Sequence, residues 1–577
     1  MEKRIDYHFQ ESLVSRQNRA EHEMLEKFHA GDYTMEHPLI CLNPYFISPL
    51  TAVMLFKTEK KIAVTLTVKG KEAEGDITHT FAPATEHILP VLGLYADCDN
   101  KVELRAYQSK PVTHTIHTDP LDENVPELLS IETTAAYMED NMIFLSPSMS
   151  ELATAIDYHG DIRWHLNVPT VFDIARLKNG NLLISTDRLV RIPYYLSGLY
   201  EMTMTGKVVR EYSMPGGYHH DKIEMADGNL LVLSEDLESD TVEDTMVLLD
   251  RNTGEVLRTW DFSDFLVPGE SKSGSWSAED WFHCNALWYD ANTNSVTLSG
   301  RHINAIVNID YDTGKLNWIL GDPEGWSDER KRYLFTPVGD GEFDWQYEQH
   351  ACVITPDGDV MCFDNGHYRS CDPEKYILNR DNFSRGVRYR INTDDMTIQQ
   401  VWQYGKELGQ HFFSKYICNV EYYGENHYMI HSGGIQYQGE NAMEGFAVLA
   451  ADDPTIRSKS ITVEVCEGQK MFEMQVTGNY YRAEKLRLYH NGDNQPLGDG
   501  VRLGSMGHTR EFDTLIPMEP SGELLPERYE ASLTEEDDRI VLNAIFESGQ
   551  LVMMMLENSN EAHGYYISTA RTPFNAL

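Results

Sequence analysis

Long apolar runs are missing from this sequence: no window approaches the about 18 consecutive apolar residues that a membrane-spanning helix needs. The opening stretch, MEKRIDYHFQESLVSRQNRAEHEMLEKFHA, is charged throughout and has no apolar core of the kind a secretory leader requires. Positive charge is scarce as well. Lys and Arg total 48 against 91 Asp and Glu, and the formal net charge of −43 repels nucleic acid and anionic lipid over most of the surface. Eight cysteines (Cys41, Cys98, Cys284, Cys352, Cys362, Cys371, Cys418 and Cys466) include no C-x-x-C pair. With no leader in front of them they read as reduced thiols in the cytoplasm. Neither H-E-x-x-H nor paired Cys/His spacing occurs, which disfavours zinc, and no Gly-rich phosphate loop is present to hold a nucleotide.

What is present is an ordinary globular interior. Hydrophobic residues make up 41% and charged residues 24%, which excludes global disorder and fibrous repeats. The 577 residues exceed the roughly 100–200 of one ordinary domain, so several domains or one large closed architecture are required. The 31 tyrosines lean towards β-structure.

Residues 1–41 place apolar side chains at mixed helical spacing between many charges, from about Arg4 to Ala30, and predict a helical segment, exposed or docked. Residues 42–131 alternate in the β manner, as in AVMLFKTEKKIAVTLTVKGKEAEGDITHTF and HILPVLGLYADCDNKVELRAYQ, and predict a small β-sandwich domain with a linker around THTDPLDENVPE. Residues 132–490 carry a longer period. A β-run with an aromatic recurs as GDIRWHL (Trp164), GKVVREYSM (Tyr212), GEVLRTWDF (Trp260), GKLNWIL (Trp318) and TIQQVWQYG (Trp402). Each is followed by a hairpin segment: FDIARLKNGNLLIST, HHDKIEMADGNLLVLSED, HCNALWYDANTNSVTLSGRH, HACVITPDGDVMCFDNG and CNVEYYGENHYMIHSGG. No helices separate these strands, which disfavours a parallel α/β fold. The pattern predicts an all-β protein with a six-bladed β-propeller, its sixth unit falling around SITVEVCEGQKMFEMQV and YYRAEKLRLYH. Residues 491–577, with β-runs such as RIVLNAIF and GQLVMMMLE, predict a C-terminal β-rich extension.

Three hairpin segments begin with histidine: His220, His283 and His350. In a propeller, equivalent strand starts lie around one end of the central channel, so these imidazoles converge, and Arg301 in SGRH returns a guanidinium to the same end. One such histidine alone is more often a packed polar residue; three in register with an arginine suit an oxyanion. A metal-binding propeller is the competing reading, because imidazole suits zinc or copper, although a nearby arginine repels a cation. A non-enzymatic interaction platform is the third.

The strings DWFHCNALWYDANTNSVTLSGRH, FDWQYEQHACVITPDGDVMCFDNG and TIQQVWQYGKELGQHFFS resemble the signature segments of bacterial arylsulfate sulfotransferases, and the resemblance runs from about Leu42 to Arg482. It implies a six-bladed propeller behind an N-terminal β-domain, a homodimer, and transfer of a sulfuryl group from an aryl sulfate donor to a phenolic acceptor. By the same resemblance His350 is the nucleophile that becomes a sulfohistidine, His283, Arg301 and His220 complete the catalytic set, and Asn285 and Tyr481 bind substrate. The chain departs from the family in two places: KRYLFTPVGDGEFDWQYEQH lacks the cysteine pair of exported members, and Ile417 falls near a family threonine.

The implied mechanism is ping-pong, without a nucleotide sulfate donor (PAPS), cofactor or metal. Arg301 and His283 would stabilise the sulfuryl oxygens, each donor contributing about 3–4 kcal/mol in the transition state. His220, or its neighbour His219, would carry the phenolic proton. Tyr481 and Phe413 are candidates to flank the aryl ring.

Overall fold

The structure is a computed structural model that describes residues 6–106, 109–148, 151–191, 195–236, 239–445, 455–490, 495–506, 529, 531–537, 540–544, 551–557, 559–560 and 562–568. The N-terminal alternation becomes one five-stranded sheet: Leu39–Leu42, Thr51–Val68, Ile77–Leu92, Asp99–Ala106 and Val112–His117. Two long strands carry both halves of it. Thr51–Lys57 pairs with Glu86–Leu92, and beyond a register shift Val64–Val68 pairs with Ile77–Phe81. Neither long strand ends at its irregularity, so one pair of strands carries both halves of the domain, and Val64 and Leu66 of the second half join the same core as Ala52 and Met54 of the first.

The two-residue side-chain period gives this sheet two apolar faces. Ala52, Met54 and Phe56 enter a core shared with Phe144, Trp164 and Tyr200, while Val53 and Leu55 pack with Met24 and Phe28 of the helix Leu13–Ala30. That helix starts at Ser12, whose side chain accepts from the backbone N–H of Ser15. It is docked by buried polar groups. Gln17 donates to the carbonyls of Tyr45 and Gly206 and accepts from the N–H of Val208. Glu21 holds Lys207 and the Tyr45 hydroxyl, each at 2.6 Å.

Beyond Glu132 the chain builds six antiparallel sheets, each around a run of four neighbouring strands. Their opening strands are Tyr480–Arg487, Ala175–Arg176, Lys222–Glu224, Cys284–Asp290, His350–Ile354 and Asn419–Gly424. The aromatic runs end five of them: Trp164, Tyr212, Trp260, Trp318 and Trp402 lie on Ile162–His165, Val208–Tyr218, Val256–Asp261, Leu316–Gly321 and Thr397–Tyr404. Between the first two strands the chain reverses through left-handed residues, among them Gly180, Gly228, Asn294, Gly358 and Asn426.

The segment expected to form a sixth unit divides between two sheets. Ile456–Cys466 and Gln469–Thr477 complete the sheet opened by Asn419–Gly424, whereas Tyr480–Arg487 pairs with Asn141–Pro147 and so joins the last part of the repeat region to its first sheet. The terminal segments also meet. Val501–Gly504 adds in parallel to Arg210–Ser213, and Asp6–Phe9 pairs in parallel with Ser532–Glu535. Of the tail runs, Ile540–Asn543 and Leu551–Glu557 are strands; the remainder of RIVLNAIF and GQLVMMMLE lies partly outside the described residues. Among the described residues no helix is long and apolar enough to cross a membrane, and the eight cysteines are free thiols.

Candidate active site

Five consecutive sheets begin with the same backbone device. Phe172, His220, His283, Ala351 and Ile417 hold φ at 66°, 54°, 52°, 59° and 55°, at or just before the opening strand. None is glycine, so each stores about 1–3 kcal/mol of strain, most awkwardly for β-branched Ile417. Strain of this kind persists where surrounding packing over-determines it, and here it falls on His220 and His283 and on Ala351, next to His350.

The structure brings the six expected residues together in a buried cluster, none more than 4% exposed. The rings of His220 and His283 lie 5.0 Å apart and those of His220 and Tyr481 5.9 Å. The Tyr481 hydroxyl donates to the carbonyl of Asn285 at 2.9 Å, and Asn285 Nδ2 donates to the carbonyl of Gln349, next to His350, at 2.8 Å. Asn285 Oδ1 is buried with no hydrogen-bond partner. Phe172, which the sequence did not single out, is the aromatic neighbour: its ring is 4.6 Å from His220 and edge-on to Tyr481 at 5.3 Å. Phe413 is buried but makes no ring contact with this group among the described residues.

Of the adjacent pair, His220 faces the cluster. His219 Nε2 lies 3.0 Å from the carbonyl of Ser234, which makes that nitrogen the donor, and its Nδ1 meets His220 Nδ1 at 2.9 Å. Neutral His219 then accepts from His220 Nδ1–H, leaving His220 Nε2 as an acceptor. Burial, with His283 and His219 beside it, holds His220 well below the ordinary imidazole value, against the pull of Glu243. His350 is also held well below, by burial and then by Arg301 and His283.

His283 is the opposite case. Burial works against its charge, but Glu243 at 2.6 Å and Asp280 at 2.8 Å both face its Nδ1 and raise it to about 9. Asp280, buried and close to Glu243, is pushed up to about 7. Arg301 forms a buried ion pair with Glu348 at 3.0 Å, and His367 Nδ1 meets the same carboxylate at 2.9 Å. The sequence reading missed Glu243, Asp280 and Glu348. Glu348, two residues before His350, and Asp280, three before His283, stand within the matched segments and were legible; Glu243 precedes its strand in an irregular loop and carried no periodic signal. Ligand-capable atoms of His220, Glu243 and His283 lie within 4.8 Å of one another, as do those of Asp280, His283 and His302, a spacing open to a divalent ion.

The arylsulfotransferase (ASST) family model matches residues 128–487, and the arylsulfotransferase Ig-like domain matches residues 39–120. The chain belongs to the arylsulfotransferase family and is a transferase of sulfur-containing groups. It is similar to the arylsulfate sulfotransferase of Escherichia coli O6:H1, 24% identical over 513 residues covering 68% of this chain and 84% of that protein. A second arylsulfate sulfotransferase, from Lelliottia amnigena, is 24% identical over 497 residues, covering 66% and 82%. Among solved structures, a periplasmic gluconolactonase from Pseudomonas aeruginosa aligns over 74% of this chain and 100% of its own at 11% identity, with a TM-score of 0.30.

Proposed function

We propose that the chain moves a sulfuryl group from an aryl sulfate ester to a phenol through a covalent intermediate on His350, at one end of a six-bladed β-propeller. The propeller reading is supported by six successive four-stranded meanders and by the strand Tyr480–Arg487 that returns to the first of them. The observation that carries the chemistry is the charge pattern: a neutral imidazole, His350, beside an imidazolium, His283, and a guanidinium, Arg301. A nucleophile must present a lone pair, and the oxygens of a sulfuryl group in flight need cationic donors already in place.

In the first half-reaction a ring nitrogen of His350 forms a bond to sulfur as the bond from sulfur to the aryl oxygen breaks, and the electron pair leaves with the phenolate. His283 and Arg301 stabilise the peripheral oxygens. In the second, an acceptor phenol gives its proton to His220, its oxygen attacks sulfur, and the nitrogen–sulfur bond breaks. Because burial keeps His220 uncharged, the departing group leaves as the anion and His220 serves as base for the acceptor. Phe172 and Tyr481 are the aromatic walls nearest this step. No nucleotide donor enters the scheme. With an aryl sulfate and a phenol, His350→Asn protein is expected to show only background transfer; transfer at the wild-type rate would overturn the reading.

A second reading, a metal held by His220, Glu243 and His283, is favoured by their spacing. It would displace the contacts that His283 Nδ1 makes with Glu243 and Asp280 or that His220 Nδ1 makes with His219, and it would set a cation among groups already in the field of Arg301.

A further inference from the structure

We infer that Asn365 is a positioning residue that locks His350 in its Nδ1–H tautomer, so that Nε2 is the nitrogen that takes the sulfuryl group; this rests on the reading of His350 as nucleophile. The backbone N–H of Ile417 points at His350 Nε2 at 3.1 Å, and an N–H can only donate, so Nε2 bears the lone pair. On the other side of the ring Nδ1 lies 3.0 Å from Asn365 Oδ1. The orientation of that amide is fixed by its other end. Asn365 Nδ2 donates to the carbonyls of Ser414, at 2.8 Å, and Ile417, at 3.1 Å, which turns Oδ1, an acceptor, towards the imidazole. Nδ1 is therefore the protonated nitrogen.

The amide does two jobs with one side chain. It orients the ring, and through Ser414 and Ile417 it holds the turn that presents the Ile417 N–H. Asn365 is fully buried, its backbone carbonyl accepts from Ser384 Oγ at 2.7 Å, and the bonds at both Oδ1 and Nδ2 keep the amide from flipping. The acceptor is also uncharged. A carboxylate there would favour a second proton on the imidazole and leave a smaller share of it as nucleophile, whereas an amide orients the ring without doing so. When Nε2 bonds to sulfur its lone pair leaves the Ile417 N–H, the aryl oxygen departs with the pair from the broken sulfur–oxygen bond, and the Nδ1 proton stays on the ring against Asn365. The product is an N-sulfuryl imidazolium, which gives up its group readily to the acceptor. Asn365 follows the strand Val360–Asp364 as Arg301 follows Ser295–Gly300, so two sheets deliver a functional side chain from the same register.

The experiment is a rapid quench of full-length protein with nitrophenyl sulfate, followed by determination of which ring nitrogen of His350 carries the group, together with the burst rate of Asn365→Leu and Asn365→Asp. The inference expects wild-type label on Nε2 alone. It expects a burst slowed about 10- to 100-fold in the Leu variant with donor KM within about twofold, the size found when a metal-bound imidazole loses its outer hydrogen-bond partner. The Asp variant keeps an acceptor for Nδ1–H and is expected to keep Nε2 labelling, whatever its rate. Label on Nδ1 in the wild-type protein overturns the inference even if neither variant folds, as does a wild-type burst from a folded Leu variant. Label on a residue other than His350 would instead overturn the nucleophile assignment itself.

Discussion

Replacing Glu243 by glutamine isolates the electrostatic part of the mechanism. Glu243 is the leading charge that offsets burial at His283, and its carboxylate lies 2.6 Å from Nδ1. Removing one such partner lowers an imidazole by about 1–3 units, which takes His283 from about 9 to about 6–8. At about pH 8 the wild-type ring is roughly nine-tenths charged, and in the variant it is about one-half to one-hundredth charged. The burst of phenolate from nitrophenyl sulfate, followed against pH, should therefore fall about 2- to 100-fold near pH 8 and recover on acidification. The sign is fixed: raising pH discharges His283, so the alkaline limb of the donor kcat/KM must move down. An alkaline limb that stays near 9 or moves up would refute the reasoning. The same raised value stabilises the folded protein fully below about 6.5 and is lost as pH rises through about 9.

Three further outcomes follow. His220→Ala should leave the first burst largely intact while steady-state turnover with a phenol falls about 10²- to 10⁴-fold, since His220 serves the acceptor half-reaction; stopped-flow and steady-state rates on one sample separate the two. Glu201, which accepts from Asn179, Asn181, Arg210 and Arg251, is held at about 2 against the opposing effect of burial. It contributes stability above about 4.5 that is lost as pH falls towards 2, so Glu201→Gln should lower the thermal midpoint at neutral pH by several degrees and by much less in acid. Prolonged chelation should leave transfer unchanged; complete loss restored by added zinc would favour the metal reading.

The repeat was legible because its signals are local. Turn glycines, alternating strands and a recurrent aromatic each reflect short-range geometry, and His220, His283 and His350 stand at the same point of that pattern. What failed to show was whatever depends on the sheets' mutual placement. The run after Ile456 has ordinary strand character and nothing in it says that Tyr480–Arg487 will leave its neighbours for Asn141–Pro147. Glu243 lies in a loop, where acidic residues are usually solvated, and only the fold turns it onto His283. Asn365 could have been found: the register argument that selected Arg301 at the end of its hairpin selects Asn365 at the end of the next, in DNG.

The central claim is that sulfur rests covalently on one histidine between donor and acceptor. Protein mixed with a sulfur-labelled aryl sulfate in the absence of phenol, quenched at the end of the burst and mapped by peptide, should carry one sulfuryl group per chain, on His350, and should lose it on a chase with phenol. A full burst with no label on His350, or label that phenol does not discharge, would contradict the account.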